Sequence, residues 1–319
     1  MIFENAESLK NRIMEKTGRP ADEKSKVFED TSEFMSIDYG HVLRLAGNDY
    51  LVLGNAREGR FGIDDQPKFW VKIALDLTSG ERKVIKLKFE ETFTGRIGSE
   101  VFHCRRSAEK ESAVLEAMCG HPFFMQGVSV PDTVGNLVRI LDFIPGQSLY
   151  EFLRRIDMPH REYYRNLFPG IIQSVIGCIE AIAQLHIKGL QHGDIRADHI
   201  LLKNHSNAYI WIDFDYLISH PNYDLFSLGN ILLQAVGKGR HSAHDIRQQL
   251  QKYPDFKETL TSDDMSLMFQ HRVANLRKLF PYLSADLNEI LMRFSAGRTD
   301  PYRDLGILIS DLRSIFPKD

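Results

Sequence analysis

The chain divides by texture into a β-rich first part and a mainly helical second part, an α+β fold class, and three observations carry that expectation. Residues 50–53, 69–77 and 82–89 read as strands, and Thr78, Ser79 and Gly80 form the turn joining the last two. Over residues 171–189, Ile172, Val175, Ile176, Ile179, Ile182 and Leu185 recur at spacings of three and four before Gly189, the pattern of a buried helix. Residues 185–216 then read as a loop, a strand, a turn and a second strand that ends on a carboxylate.

The remaining elements follow in chain order. Ala6, Leu9, Ile13 and Met14 share one face of a short helix that Gly18 and Pro20 terminate, and a packing role suits it better than an autoinhibitory one. The charged stretch 22–33 is expected to be linker or surface loop. Residues 106–118 have helix-forming composition with Val114, Leu115 and Met118 on the apolar side. Residues 137–141 form an apolar strand that Pro145 and Gly146 break. Residues 237–283 are rich in charges and aromatics and are expected to be helical.

With 319 residues and a net charge of −3, the chain can bury a sizeable core, and its interspersed charges argue against a nucleic-acid surface. Cys104, Cys119 and Cys178 lack C-x-x-C spacing and are expected to be free, mostly buried thiols of a reducing compartment. The first residues lack a leader-like apolar core, and no run is read as long enough to span a bilayer. The expectation is therefore a cytoplasmic protein without a membrane partner.

The chemistry concentrates in residues 192–215. Asp194 and Asp213 lie at adjacent strand ends with the metal-capable His199 close by in sequence, and Asp215 follows Phe214. Convergent carboxylates and a metal-binding side chain suit phosphoryl transfer, where catalysis is positioning plus charge neutralisation. The segment reads H-G-D-I-R-A-D-H followed by D-F-D. It resembles the H-R-D-x-x-x-x-N and D-F-G loops of the protein-kinase-like superfamily.

The resemblance covers residues 48–319 and implies a bilobal fold, with a β-rich N-lobe over 48–143, a mainly helical C-lobe over 144–319 and an extension over 1–47. It implies ATP as cofactor with Mg2+, or alternatively Mn2+. Lys86 falls where the third-strand lysine grips phosphates, and Glu111 is its expected partner, with Glu109 and Glu116 as competitors. Gly59 and Gly62, in R-E-G-R-F-G, resemble the glycine-rich loop with its first glycine replaced, although a plain hairpin turn is nearly as well supported. Val71, Val84 and Leu201 would enclose the adenine, with the backbone of Asp142 and Ile144 meeting its edge. Asp194 would orient the acceptor hydroxyl, Arg196 would neutralise the γ-phosphate, and Asp213 would hold the metal.

Three departures qualify the resemblance. His199 replaces the metal-binding asparagine, either as a softer ligand or as a mark of lost catalysis. Asp215 replaces the D-F-G glycine, either as an added metal ligand or as a turn stiffener. Gly193 stands where regulated kinases carry arginine, and only residues 216–222 separate Asp215 from the helix in which Asp224 would cap the catalytic turn. This truncated activation segment resembles small-molecule phosphotransferases, whereas the terminal helices resemble those of bacterial eukaryotic-like serine/threonine kinases. The implied function is ATP-dependent transfer to a hydroxyl of a protein or small molecule. The alternative is a pseudokinase, a nucleotide-binding or interaction module.

Overall fold

A computed structural model of the protein describes residues 6–60, 63–206, 208–253, 256 and 259–318. The elements begin with α1 (Ala6–Thr17), β1 (Val27–Phe28), β2 (Val42–Leu45), β3 (Asn48–Arg60), β4 (Ile63–Asp76) and β5 (Arg82–Lys86). They continue through β6 (Thr92–Ile97), β7 (Glu100–Arg106), α2 (Ala108–Ala117), β8 (Gly127–Pro131) and β9 (Leu137–Asp142). Next come β10 (Gly146–Ser148), α3 (Leu149–Arg155), α4 (His160–Asn166), α5 (Phe168–Ile187), β11 (Ile200–Lys203) and β12 (Tyr209–Trp211). The last are β13 (Tyr216–Ile218), α6 (Tyr223–Gly237), α7 (Ala243–Gln248), α8 (Ala285–Met292) and α9 (Leu305–Ile315). Two compact units result. The first comprises Met1–Glu90, Ser107–Cys119 and Met125–Ile144; the second comprises Glu91–Arg106, Gly120–Phe124 and Pro145–Asp319.

The first unit is a seven-stranded sheet in the order β1-β2-β3-β4-β5-β9-β8 with two helices. Inward residues of its strands, among them Val52, Trp70, Val71, Ala74, Ile85 and Ile140, form one buried cluster. Leu9 and Ile13 of α1 pack on Val42, Leu51 and Leu77, so the first helix is laid on the sheet, while Met14 is exposed. The expected loop over 22–33 contains β1, which pairs parallel with β2; that pairing is a tertiary contact with no local periodicity behind it. Ser107 Oγ accepts the Lys110 N–H and caps α2.

The second unit is built around α5 and α6. The expected apolar face of α5 is buried from Phe168 to Leu185, and every residue of α6 from Asp224 to Gly237 is buried. Contrary to the sequence expectation, α5 does reach the length and hydropathy of a membrane span; its apolar face lies buried among the helices of this unit, as in a core helix. Cys119 is exposed rather than buried, whereas Cys104 and Cys178 are buried, and all three are free thiols.

The sequence reading left residues 91–105 without an element, began a helix at Arg106 and kept both inside the first lobe. Residues 92–106 form the β6–β7 hairpin of the second unit, because β7 also pairs with β13 in register Tyr216↔Arg106, Leu217↔Arg105 and Ile218↔Cys104. Over residues 237–283 only α7 and short 3-10 turns form among the described residues, less helix than expected.

His160 illustrates how tightly the second unit packs. Its ring lies flat on Phe280 at 3.6 Å, Nε2 donates to the Val236 carbonyl at 2.8 Å, and Nδ1 lies 2.8 Å from the Tyr282 hydroxyl. Burial, aided by the charges of His241 and Lys238, pushes the imidazole down to about 4 from its ordinary 6.5, although the Val236 bond opposes the shift. Across that interval the unfolded chain binds more protons than the folded one, so stability is complete above pH 6.5 and declines as the pH falls toward 4. Urea unfolding between pH 7.5 and 4.5 should reveal this slope, and His160→Gln should reduce it by about one proton. An unchanged slope would show that His160 does not enter the fold neutral.

Candidate active site

In the first unit β5 ends on Lys86, which registers with Val71 on β4 and with Arg139 on β9. Lys86 Nζ lies 2.6 Å from Glu111 Oε1, and Arg139 Nε lies 3.1 Å from Glu111 Oε2. All three side chains are buried. Of the candidate glutamates on α2, Glu111 therefore takes the lysine; Glu109 accepts from Ser107 Oγ, and Glu116 is exposed. The one buried carboxylate thus binds the lysine and an arginine together, which fixes the position of Lys86.

The expected adenine-facing residues lie on neighbouring strands. Val71 is buried, Val84 is half-buried and registers with Leu141, and the Asp142 carboxylate accepts from Lys83 at 2.9 Å. Ile144 is half-buried at the last position of this unit. Gly59 falls within β3, and Gly62 lies outside the described residues. Backbone pairing of β3 with β4 continues through Glu58↔Gln66 and Arg60↔Ile63, which makes this a long hairpin. Gly54, absent from the sequence reading, marks a register shift with φ 143°.

In the second unit the turn at 192–194 is held from α6. Asp224, buried, accepts the His192 N–H at 2.7 Å and the Gly193 N–H at 2.8 Å, and lies 2.9 Å from His186 Nε2. Burial raises its pKa, but the bonds and nearby charge of His186, His192 and Gly193 outweigh it, so the carboxyl titrates below its ordinary range. Gly193 has φ 81°, which gives a physical reason for H-G-D: a side chain at this position would sit in left-handed backbone. The His192 ring packs edge-on against Trp211 and Phe214, and its Nδ1 accepts the Asp194 N–H at 3.2 Å.

Asp194, His199 and Asp213 form one cluster. His199 Nδ1 donates to the Asp194 carbonyl at 2.8 Å, because a carbonyl oxygen can only accept. Its Nε2 lies 3.4 Å from Asp213 Oδ2. In the neutral ring that leaves a lone pair facing a carboxylate, an arrangement that needs a proton on the ring or a cation between them. Asp213 has φ 70°, strained for a residue with a side chain. Burial raises the pKa of Asp194; the charges of Asp213 and Asp215 add to this, while His199 and Arg196 oppose it. An oxygen and an imidazole nitrogen, in a site where carboxylates repel one another, fit a divalent cation.

Arg196, expected at the γ-phosphate, is turned into an ion pair with Asp198, a residue that the sequence reading did not single out. Leu201 is half-buried in β11, between Ser148 of β10 and Ile210 of β12. Both roles expected for Asp215 find a contact: its carboxylate is paired with Arg106 at the end of β7, and an oxygen of it lies within 4.8 Å of one of Asp213, near enough to share a cation. Arg106 also donates to the Tyr216 hydroxyl at 2.6 Å and lies 3.2 Å from Glu91, with its guanidinium 4.4 Å from the Tyr216 ring centre. Arg106 lies in the hairpin that the sequence reading left out.

Glu111→Ala should strand Lys86 and Arg139 without their carboxylate and cost about 3–5 kcal/mol of stability in denaturant unfolding. Gly193→Ala should cost about 1–2 kcal/mol in the same assay, from left-handed backbone strain alone.

No family model matches the chain. Over 203 residues it is 22% identical to a protein named carbon catabolite-derepressing protein kinase from Saccharomyces cerevisiae, a match covering 62% of this chain and 27% of that one. Over 146 residues it is 24% identical to maternal embryonic leucine zipper kinase of Xenopus tropicalis, covering 45% and 20%. The chain thus spans less than a third of the length of these relatives. A β-sheet unit, a mainly helical unit with a short segment after D-F-D, and these weak, partial matches support a protein-kinase-like fold.

Proposed function

We propose that the protein is an ATP-dependent phosphotransferase acting on a hydroxyl acceptor, a serine or threonine of a protein. The observation that carries this reading is the cluster of Asp194, His199 and Asp213 on a turn held by Asp224. Asp194 orients the acceptor hydroxyl and takes its proton, and its raised pKa makes it a stronger base than a free aspartate. Asp213 and His199 hold Mg2+ or Mn2+, which when bound neutralises charge on the transferred group. Lys86, fixed by Glu111, is the phosphate-binding lysine of this reading. Free thiols support a reducing, cytoplasmic setting.

The second reading, a pseudokinase, is favoured by one contact. A protonated His199 bonded to Asp213 would neutralise the metal position without a metal.

Thermal unfolding with ATP, with each metal, and with both decides between them. A phosphotransferase should show a metal-dependent rise in melting temperature with ATP, and Asp213→Asn should remove it. Asparagine tolerates the left-handed backbone at 213, so loss of the shift would not be a folding defect. Asp194→Asn should keep the shift while lowering transfer by about 10²–10⁴-fold. A folded protein that shows no shift under any condition overturns the reading.

A further inference from the structure

Close to the catalytic turn the structure gathers cations that the reaction outlined above does not use. Arg240, just beyond α6, donates from Nε to Oε1 of the buried Gln234 at 3.2 Å, and its guanidinium carbon lies 4.6 Å from the ring centre of Tyr150. Arg272 lies 3.9 Å from the ring centre of Phe269 and is brought beside this segment by the bridge Ser242↔Arg272. Tyr150 belongs to α3, which packs on the 3-10 turn Ala197–His199 that follows Asp194. These are all parts of the second unit.

The charges do not balance. Asp198, in that turn, is already paired with Arg196. Neither Arg240 nor Arg272 has a carboxylate within ion-pair distance among the described residues. The two guanidiniums repel each other: burial first, and then the charge of Arg240, lower the pKa of Arg272 to about 10 against the pull of Asp198 and Tyr150. Arg272 is half-buried and Arg240 exposed, each guanidinium lies against an aromatic ring, and the two like charges are held in one neighbourhood. Guanidiniums held this way match carboxylate or phosphate by paired hydrogen bonds.

We propose that Arg240 and Arg272 form an anion subsite for the acceptor, so that the segment phosphorylated carries acidic or phosphorylated residues flanking its serine or threonine. This deepens the phosphotransferase reading and rests on it for the word acceptor. The subsite also accounts for how a substrate is placed when the segment after Asp215 is too short to dock one: Arg240 and Arg272 take over that task.

The test is direct binding, read by fluorescence anisotropy with labelled serine peptides that differ only in the flanking residues: glutamate, phosphoserine, glutamine or arginine. The expected result is binding of the glutamate or phosphoserine peptide about tenfold or more tighter than the glutamine one. The two anionic arms tell whether a carboxylate or a phosphate is the natural group. Arg240→Gln with Arg272→Gln should erase the preference, whereas Lys10→Gln with Lys188→Gln, an equal loss of charge elsewhere, should leave it. Equal binding of the glutamine peptide, no binding of any anionic peptide, or a preference that survives the arginine replacements overturns the subsite. The ATP-and-metal melting shift, measured on the same samples, reports separately on the phosphotransferase reading. An anion preference without that shift would leave the subsite standing in a binding module.

Discussion

One buried carboxylate governs the geometry of the second unit. Asp224 accepts two consecutive backbone N–H groups, from His192 and Gly193, and lies against His186 at the end of α5. Adjacent peptide N–H groups in extended chain point to opposite sides, and the left-handed backbone of Gly193 brings them to one acceptor. From that turn the order propagates by hydrogen bonds. The Asp194 carbonyl accepts from His199, and the Ile212 N–H donates to the His199 carbonyl, which sets Asp213 one residue on. Loss of the carboxylate would leave buried donors without an acceptor and detach the turn at 192–194 from the buried helix α6.

A second buried charge makes the altered D-F-D motif workable. Asp215 is buried, and an unpaired carboxylate there would cost several kcal/mol. Arg106 supplies the partner, and burial, which opposes its own charge, is outweighed by Asp215, Tyr216 and Asp213, so its pKa is raised. Arg106 reaches that place because β7 pairs with β13. The hairpin of residues 92–106 and the aspartate at the glycine position are therefore physically one feature. Together they hold the short segment after Asp215 without any long loop to fold over it.

Legibility from sequence followed locality. Lys86 and Glu111 were legible through their resemblance to a third-strand lysine and its helix glutamate, whereas the spacing of α5 was readable from its own periodicity. Asp224 was visible through its resemblance to the central helix of a known fold. The β6–β7 hairpin had a usable signal, the alternation of buried Phe102, Cys104 and Arg106 after the turn at Gly98, and that signal was passed over. The glycine at 193 looked like a lost regulatory arginine until its φ was known. Arg240 and Arg272 had no local signal at all. They lie far apart in sequence, and only the pairing of Ser242 with Arg272 makes them neighbours.

The least settled residue by sequence, His199, becomes a definite chemical question in the fold. Its Nδ1 is committed to a carbonyl, which fixes the tautomer of the neutral ring and leaves Nε2 as the atom that faces Asp213. A proton and a divalent cation then compete for the same lone pair. A protonated ring closes an ion pair with Asp213 and excludes the metal, whereas a neutral ring and Asp213 make two donors of a cation site. Metal uptake at this pair must release any proton held there, so acid and metal act on it in opposite directions. The asparagine that the related motif carries at this position has no such titration. A histidine at this position would thus couple any cation held at Asp213 to the proton on its ring.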